Sequence, residues 1–186
     1  RDKHVAWIKS AVQNLTGILD DFLSLSKLEE GKITVKMEAF DWSDFLKGII
    51  EELQGILKNG QFIKASGHEV VQMIHTDRRL LKNVLFNLLS NAIKYSPAQA
   101  PIYCQSEIRG EELWIRIEDK GMGIPKADQE HLFTRFFRAT NVTNIQGTGL
   151  GLNIVKKYIE LLMGEISFES EEGVGTSFEI SIPINH

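Results

Sequence analysis

The sequence predicts an α+β fold, a mixed-sheet two-layer α/β sandwich with helices on one face of the sheet, preceded by a coiled-coil-like N-terminal helix. Three observations carry this expectation. Helical and two-residue periodicities are intermixed along the chain, without the regular strand–helix alternation of a parallel sheet. The 186 residues are 42% hydrophobic and 25% charged, an ordinary globular composition with enough apolar material for one core. Before that core begins, Val5, Ile8, Val12, Leu15, Leu19 and Phe22 recur at 3-4-3-4-3 spacing and draw a narrow seam along one helix. A period of about 3.5 residues is narrower than the stripe of a core helix, so this helix is expected to seek a partner.

Two units follow, residues 1–31 and 32–186. The seam continues loosely through Leu25 and Leu28 to Gly31, which suits a helix C-cap. Residues 32–38 alternate like a half-buried strand. Asp41 or Ser43 can cap a helix running to about Lys58, closed by Asn59 and Gly60. Short strands are expected over 61–65 and 70–75, with Gly67 between them. Asp77 then caps a long helix whose apolar face is Leu80, Leu81, Val84, Leu85, Leu88, Leu89, Ala92 and Ile93, stopped at Ser96-Pro97. Residues 102–108 and 113–117 read as a hairpin around Gly110-Glu111. A short helix near 128–137, a loop, a helix from about 149 to 162 and strands over 166–169 and 176–182 complete the order.

Composition narrows function. Twenty-one basic against 25 acidic residues leave a net charge of −4, so no overall positive field exists to hold a nucleic-acid backbone. The longest apolar run, Val5 to Ile8, is far below the roughly 20 residues that span a bilayer, and no signal peptide opens the chain. A cytoplasmic location is expected, any membrane attachment belonging to segments upstream. Cys104 stands alone, which excludes an internal disulfide or a cysteine-built metal site.

Three segments bear on chemistry. Within the long helix, Asn87 and Asn91 stand four apart on one face, with Lys94 three residues further on. A carboxamide oxygen is a hard neutral ligand suited to Mg²⁺, which also takes phosphate oxygens and water; an isolated pair of this kind more often decorates a solvated face. The run Glu118-Asp119-Lys120-Gly121-Met122-Gly123-Ile124-Pro125 follows a strand. There Asp119 can accept from an exocyclic amine while Gly121 and Gly123 let backbone approach a flat ligand, although Asp and Gly dominate plain turns too. Lastly, Gly147-Thr148-Gly149-Leu150-Gly151-Leu152 opens a helix, where backbone N–H groups and the helix dipole favour phosphate. Its spacing fits neither the dinucleotide-binding nor the P-loop pattern. Residues 139–155 contain no charge, which suggests a mobile lid rather than packed structure.

In this order, with Phe133-Thr134-Arg135-Phe136-Phe137-Arg138 between the second and third, the segments resemble the nucleotide-binding boxes of bacterial sensor histidine kinases of two-component systems. Residues of about 33–184, ending in Glu172-Gly173-Val174-Gly175-Thr176-Ser177-Phe178 and Ile182-Pro183, are similar to that family's catalytic and ATP-binding domain. Residues 1–31, with Leu25-Ser26-Lys27-Leu28-Glu29-Glu30-Gly31, resemble the second helix of its dimerisation and histidine-phosphotransfer hairpin.

The resemblance implies Mg²⁺ and ATP as cofactors. Asn91, assisted by Asn87, would ligand the metal, and Lys94 would contact phosphate. Tyr95 and Ile124 would border the nucleotide. Asp119 would accept from the adenine amine, with Gly121 and Gly123 shaping the pocket. Arg138, and less securely Arg135, would meet the γ-phosphate. Gly147, Thr148, Gly149, Leu150 and Gly151 would wrap the phosphate chain, and Phe133 and Phe136 would anchor the lid, with Phe137 at a variable aromatic position. The implied function is transfer of the γ-phosphate to a histidine on the hairpin, for relay to a response-regulator aspartate, in a protein that forms a homodimer through the hairpin.

One element of that pattern is missing: none of His4, His68, His75, His131 and His186 sits in the family's phosphoacceptor motif, so the acceptor helix is expected outside these residues. His68-Glu69 has the right first pair in a strand context and reads as an exposed turn. A second reading is a conformational ATPase, as in gyrase-type topoisomerases, mismatch-repair proteins and the heat-shock chaperone. Those place Glu four residues before the metal Asn to activate water; Asn87 stands there, and an amide is no general base. A third reading, a docking module using only the seam, leaves Asn91, Asp119 and the glycines without a role.

Overall fold

The computed structural model describes the backbone of residues 2–68 and 71–184, with the side chains of these except 2–11, 13 and 14. Helix α1 (Asp2–Glu29) leads into β1 (Glu38–Asp41), α2 (Trp42–Leu53), β2 (Phe62–Ser66), β3 (Met73–Thr76) and α3 (Arg78–Tyr95). The hairpin β4 (Pro101–Arg109) and β5 (Glu112–Asp119) follows, then α4 (Gly151–Leu161), β6 (Glu165–Glu171) and β7 (Gly175–Pro183). Five strands form one mixed sheet in the order β2-β4-β5-β7-β6, with β2 parallel to β4 and the other neighbours antiparallel; β1 and β3 make a separate antiparallel ribbon. This is the α+β architecture expected. No described helix is long and apolar enough to cross a membrane.

Two local patterns position the site. In β5, Leu113, Ile115 and Ile117 are buried, and the two-residue period carries Asp119 onto the same inward face. The alternate residue Arg116 faces outward, pairing with Glu179 at 3.0 Å. In α3, Asp77 caps the helix by accepting from Arg79 N at 2.9 Å and Leu80 N at 3.1 Å. Its leucine stripe is fully buried with Trp42, Leu46, Ile49 and Leu53 of α2. The polar Asn87, Asn91 and Lys94, at i, i+4 and i+7, form a strip on the flank of that stripe. Buried Gln61 fixes the far end, its Nε2 donating to Ile93 O, Ser96 O and Pro97 O at 3.1, 3.3 and 2.9 Å. Ile93 O is one of the carbonyls that the helix end leaves without a partner, and the other two belong to the turn that follows.

Several expectations are corrected. Residues 32–37 form no strand; regular structure begins at Glu38. Their hydrogen bonds run instead to the start of α3, Lys36 N donating to Asp77 Oδ2 at 2.7 Å and Arg79 Nη2 to Thr34 O at 3.1 Å. The second helix ends at Leu53 and a 3-10 turn, Gln54–Ile56, takes its place before Asn59. Strand β3 begins at Met73; Val70, where it was expected to start, lies outside the described residues. Near 128–137 only a 3-10 turn forms, Lys126–His131, and Phe136 further on, at φ +59, has a conformation no helix could include. His68 is half-buried, with Nδ1 lacking a partner among the described residues, rather than an exposed turn. His186 and the side chain of His4 lie outside the described residues.

Helix α1 divides into two parts. Leu25 is buried in the domain core and Leu28 packs against it, while Val12, Leu15, Leu19 and Phe22 remain 56–66% exposed. The open part is the seam expected to seek a partner; the side chains of Val5 and Ile8 lie outside the described residues. Gly31, at φ +62, closes the helix, with Lys32 N donating to Lys27 O at 3.0 Å.

Candidate active site

A cavity of about 850 Å³ opens beside the polar strip of α3. Asn87, Asn91, Lys94 and Tyr95 form one wall; Asp119, Gly123, Ile124, Arg138 and residues 147–151 form the rest. The volume lies in the range of small-molecule sites. Gly121 does not line the cavity, but its N–H donates to Asp119 Oδ1 at 2.7 Å. The three motif segments, separated by up to 64 positions from Asn87 to Gly151, thus meet around one space.

Its ends differ electrostatically. At one, burial pushes the Asp119 carboxyl up to about 6, opposed by the Gly121 and Thr176 N–H groups that donate to it. A carboxylate can accept about four hydrogen bonds, so capacity for an exocyclic amine is left. At the other, burial together with the Arg138 guanidinium holds the Lys94 ammonium below its ordinary value. Helix α4 starts at the cavity wall without a side-chain cap, so no side chain takes up its first N–H groups there. The glycine segment touches the polar strip of α3: a Cβ on Gly151 would lie 2.8 Å from Asn87 Oδ1, and one on Gly147 2.9 Å from Lys94 Nζ. Two partly desolvated cations and an uncapped helix start opposite a buried carboxylate suit a ligand with an amine-bearing base and a polyanionic tail.

Other residues depart from expectation. Gly121 and Gly123 are demanded by the chain itself more than by a flat ligand. A Cβ on Gly121 would meet Asp119 Oδ1 and Tyr95 O at 2.7 Å, and Gly123, at φ +62, would place one 1.9 Å from Glu171 O. Gly123→Ala is therefore expected to lower stability by about 3 kcal/mol or more, measured by urea unfolding; an unchanged midpoint would refute this packing role. Arg135 is not on the cavity wall but pairs with Glu29 of α1. Phe133 packs edge-on against Phe168 at 5.8 Å, whereas the Phe136 side chain is 64% exposed at the cavity rim.

The uncharged segment after Arg138 is tethered rather than free. Buried Asp128 accepts from Thr140 N and Oγ1 at 2.7 and 2.8 Å, and Asn141 Nδ2 donates to Gly123 O at 2.9 Å. Arg138 Nη2 donates to the carbonyls of Val142, Thr143 and Ile145. Sequence reasoning assigned nothing to Asp128 beyond a helix start, nor to Asn141 or Gln61. It missed Asp21 of α1 altogether, which also reaches the cavity. Such roles consist of contacts between distant segments and leave no local pattern.

A family model described as histidine kinase-, DNA gyrase B-, and HSP90-like ATPase matches residues 76–186, and the chain belongs to that family. Sensor and histidine kinases are among the proteins it resembles. LuxQ of Vibrio vulnificus, an autoinducer 2 sensor kinase/phosphatase, is 33% identical over 192 residues, covering 98% of this chain and 22% of LuxQ. The circadian input-output histidine kinase CikA of Synechococcus elongatus is 30% identical over 186 residues, covering 97% of this chain and 25% of CikA. Among solved structures, the histidine kinase AdeS of Acinetobacter baumannii matches with a TM-score of 0.78 at 25% identity, over 100% of this chain and 86% of that one. The chain spans a quarter or less of the length of these two curated relatives. It is an ATP-binding domain of the histidine-kinase type.

Proposed function

We propose that the cavity binds Mg-ATP and that the domain passes the γ-phosphate to a histidine on a dimerisation hairpin, for relay to a receiver-domain aspartate of a response regulator. In this reading α1 is the hairpin's second helix, and the protein works as a homodimer. The observation that carries it is the polarity of the cavity lining: a buried carboxylate, Asp119, apart from the cations Lys94 and Arg138, with α1 also contributing to the wall. Bound Mg-ATP supplies the phosphoryl group and neutralises its charge. Asn91, with Asn87, would hold the metal; Lys94, Arg138, Thr148 and the backbone of Gly147, Gly149, Leu150 and Gly151 would hold phosphate oxygens. Asp119 would select adenine, with Tyr95 and Ile124 along the base. Such transfer rests on positioning and charge stabilisation, which these residues can provide.

Asn87 disfavours the ATPase alternative. Its Nδ2 donates to Asn83 O at 3.0 Å, and an amide can take no proton from water. Incubated with labelled ATP and Mg²⁺, the chain alone is expected to acquire little stable label. Given a separate polypeptide with the family's phosphoacceptor helix, it should label that histidine, slowly because the partners meet by diffusion. The label should be acid-labile and base-stable. Rapid phosphate release without an acceptor would favour the ATPase instead, and strong labelling of His4 or His68 would show that the acceptor has been misassigned.

A further inference from the structure

The phosphate end of the cavity is closed by a carboxylate. Gly17, Ile18, Asp21 and Phe22 of α1 line it together with Lys94 and Thr148. Thr148 Oγ1 donates to Asp21 Oδ2 at 2.8 Å, across 127 positions of sequence. Thr148 also accepts from Leu150 N at 3.2 Å, just ahead of α4, so the hydroxyl that Asp21 engages belongs to the glycine segment itself. Asp21 is close enough to Lys94 for the two charges to act on each other. It is half-buried, and burial raises its carboxyl above the ordinary value, opposed by the Thr148 bond and by Lys94. A second tether, the ion pair of Glu29 with Arg135, holds α1 to the segment just before Arg138.

A helix that merely packed on this domain could present an apolar or neutral residue here. Instead it presents an anion to a hydroxyl and an ammonium, two groups that suit a phosphate oxygen. Resting on the proposed ATP site, we infer that Asp21 is an intramolecular stand-in for a nucleotide phosphate, so that docking of this face of α1 and binding of ATP exclude one another. A polyphosphate entering the site meets a like charge and must take Thr148 and Lys94 from it. The coupling is reciprocal: whatever draws α1 away raises ATP affinity, and bound ATP releases α1 by the same factor. Leu25, buried in the domain core, and Leu28, packed against it, follow Asp21 on the same face by one and two turns, so Asp21 leaves the site only by α1 pivoting about that anchored end.

The test uses the 186-residue chain and its Asp21→Ala and Asp21→Asn variants, titrated by calorimetry with ATP and Mg²⁺ and, separately, with adenosine, which lacks phosphate. Asp21→Ala should bind ATP about tenfold more tightly than the wild type, within the usual span of coupling between sites. Asp21→Asn should gain less, because its amide oxygen can still accept from Thr148. Adenosine affinity should be unchanged in both. If ATP binds the wild type and both variants equally, or the variants more weakly, the stand-in role is overturned while the nucleotide site stands. An equal gain for adenosine would overturn it too, since helix displacement and not charge would then be the cause. Failure of wild type and variants alike to bind ATP would overturn the proposed function and this inference with it.

Discussion

Asn91→Ala is expected to weaken Mg-ATP binding by about 100-fold or more while leaving the fold intact. Loss of groups that only support a metal ligand costs about 10–100-fold in affinity, and a direct ligand should cost no less. Asn91 lines the cavity, and among the described residues no hydrogen bond to another protein group holds its carboxamide, so truncation breaks none of the described contacts. Alanine is also the better helix former, by about 0.5 kcal/mol, so the thermal midpoint should hold or rise slightly. Asn87→Ala should lose less, because that side chain already donates to Asn83 O and was assigned only a supporting role. Titration with ATP in the presence and absence of Mg²⁺ separates metal from nucleotide. Wild-type affinity in the Asn91 variant with Mg²⁺ present would remove Asn91 from the metal site, and a large loss without Mg²⁺ would make it a direct nucleotide ligand instead.

What could be read in advance was whatever is written in local pattern. Helix α3 was legible because its cap at Asp77, its leucine stripe and its stop at Ser96-Pro97 are all encoded within 21 consecutive residues. The β4–β5 hairpin was legible from alternation around Gly110, found at φ +62. Residues 32–38 misled because alternation indicates which residues face inward, not where backbone groups find partners; Asp77 and Arg79 supply those partners. The glycines near Asp119 were visible, but not their cause, since Glu171 lies 48 positions beyond Gly123. The largest omission was Asp21 of α1. An aspartate on the flank of an amphipathic helix has no signature, and only the fold brings it to Thr148.

Asp119→Asn is expected to weaken ATP binding and, at neutral pH, to stabilise the chain. The wild-type carboxyl, pushed from 3.8 to about 6, makes the folded state bind more protons than the unfolded one between those values. Its contribution to stability is therefore lost as pH rises from about 4 through about 6. Above that range the buried charge opposes folding by about 3 kcal/mol, at about 1.4 kcal/mol per unit. An amide carries no such charge and its single oxygen can keep the hydrogen bond that Asp119 Oδ1 accepts from Gly121 N, while the bond from Thr176 N–H is weakened and offsets part of the gain. The variant's midpoint should thus exceed the wild type's by about 5 °C at pH 7.5, the gap closing as pH falls toward 4. Binding should move the other way. Asparagine has one oxygen where aspartate has two, and its NH₂ is a donor facing the donor amine of adenine. A site that has lost a paired acceptor in this manner discriminates strongly against its former ligand, and a loss of about 100-fold is expected for ATP. Thermal unfolding across pH and calorimetry at pH 7.5 measure the two effects on the same sample. Higher stability with unchanged ATP affinity would leave Asp119 a buried charge of the fold and take adenine selection away from it, whereas loss of both would mean that the carboxylate holds the Gly121 turn in a way an amide cannot.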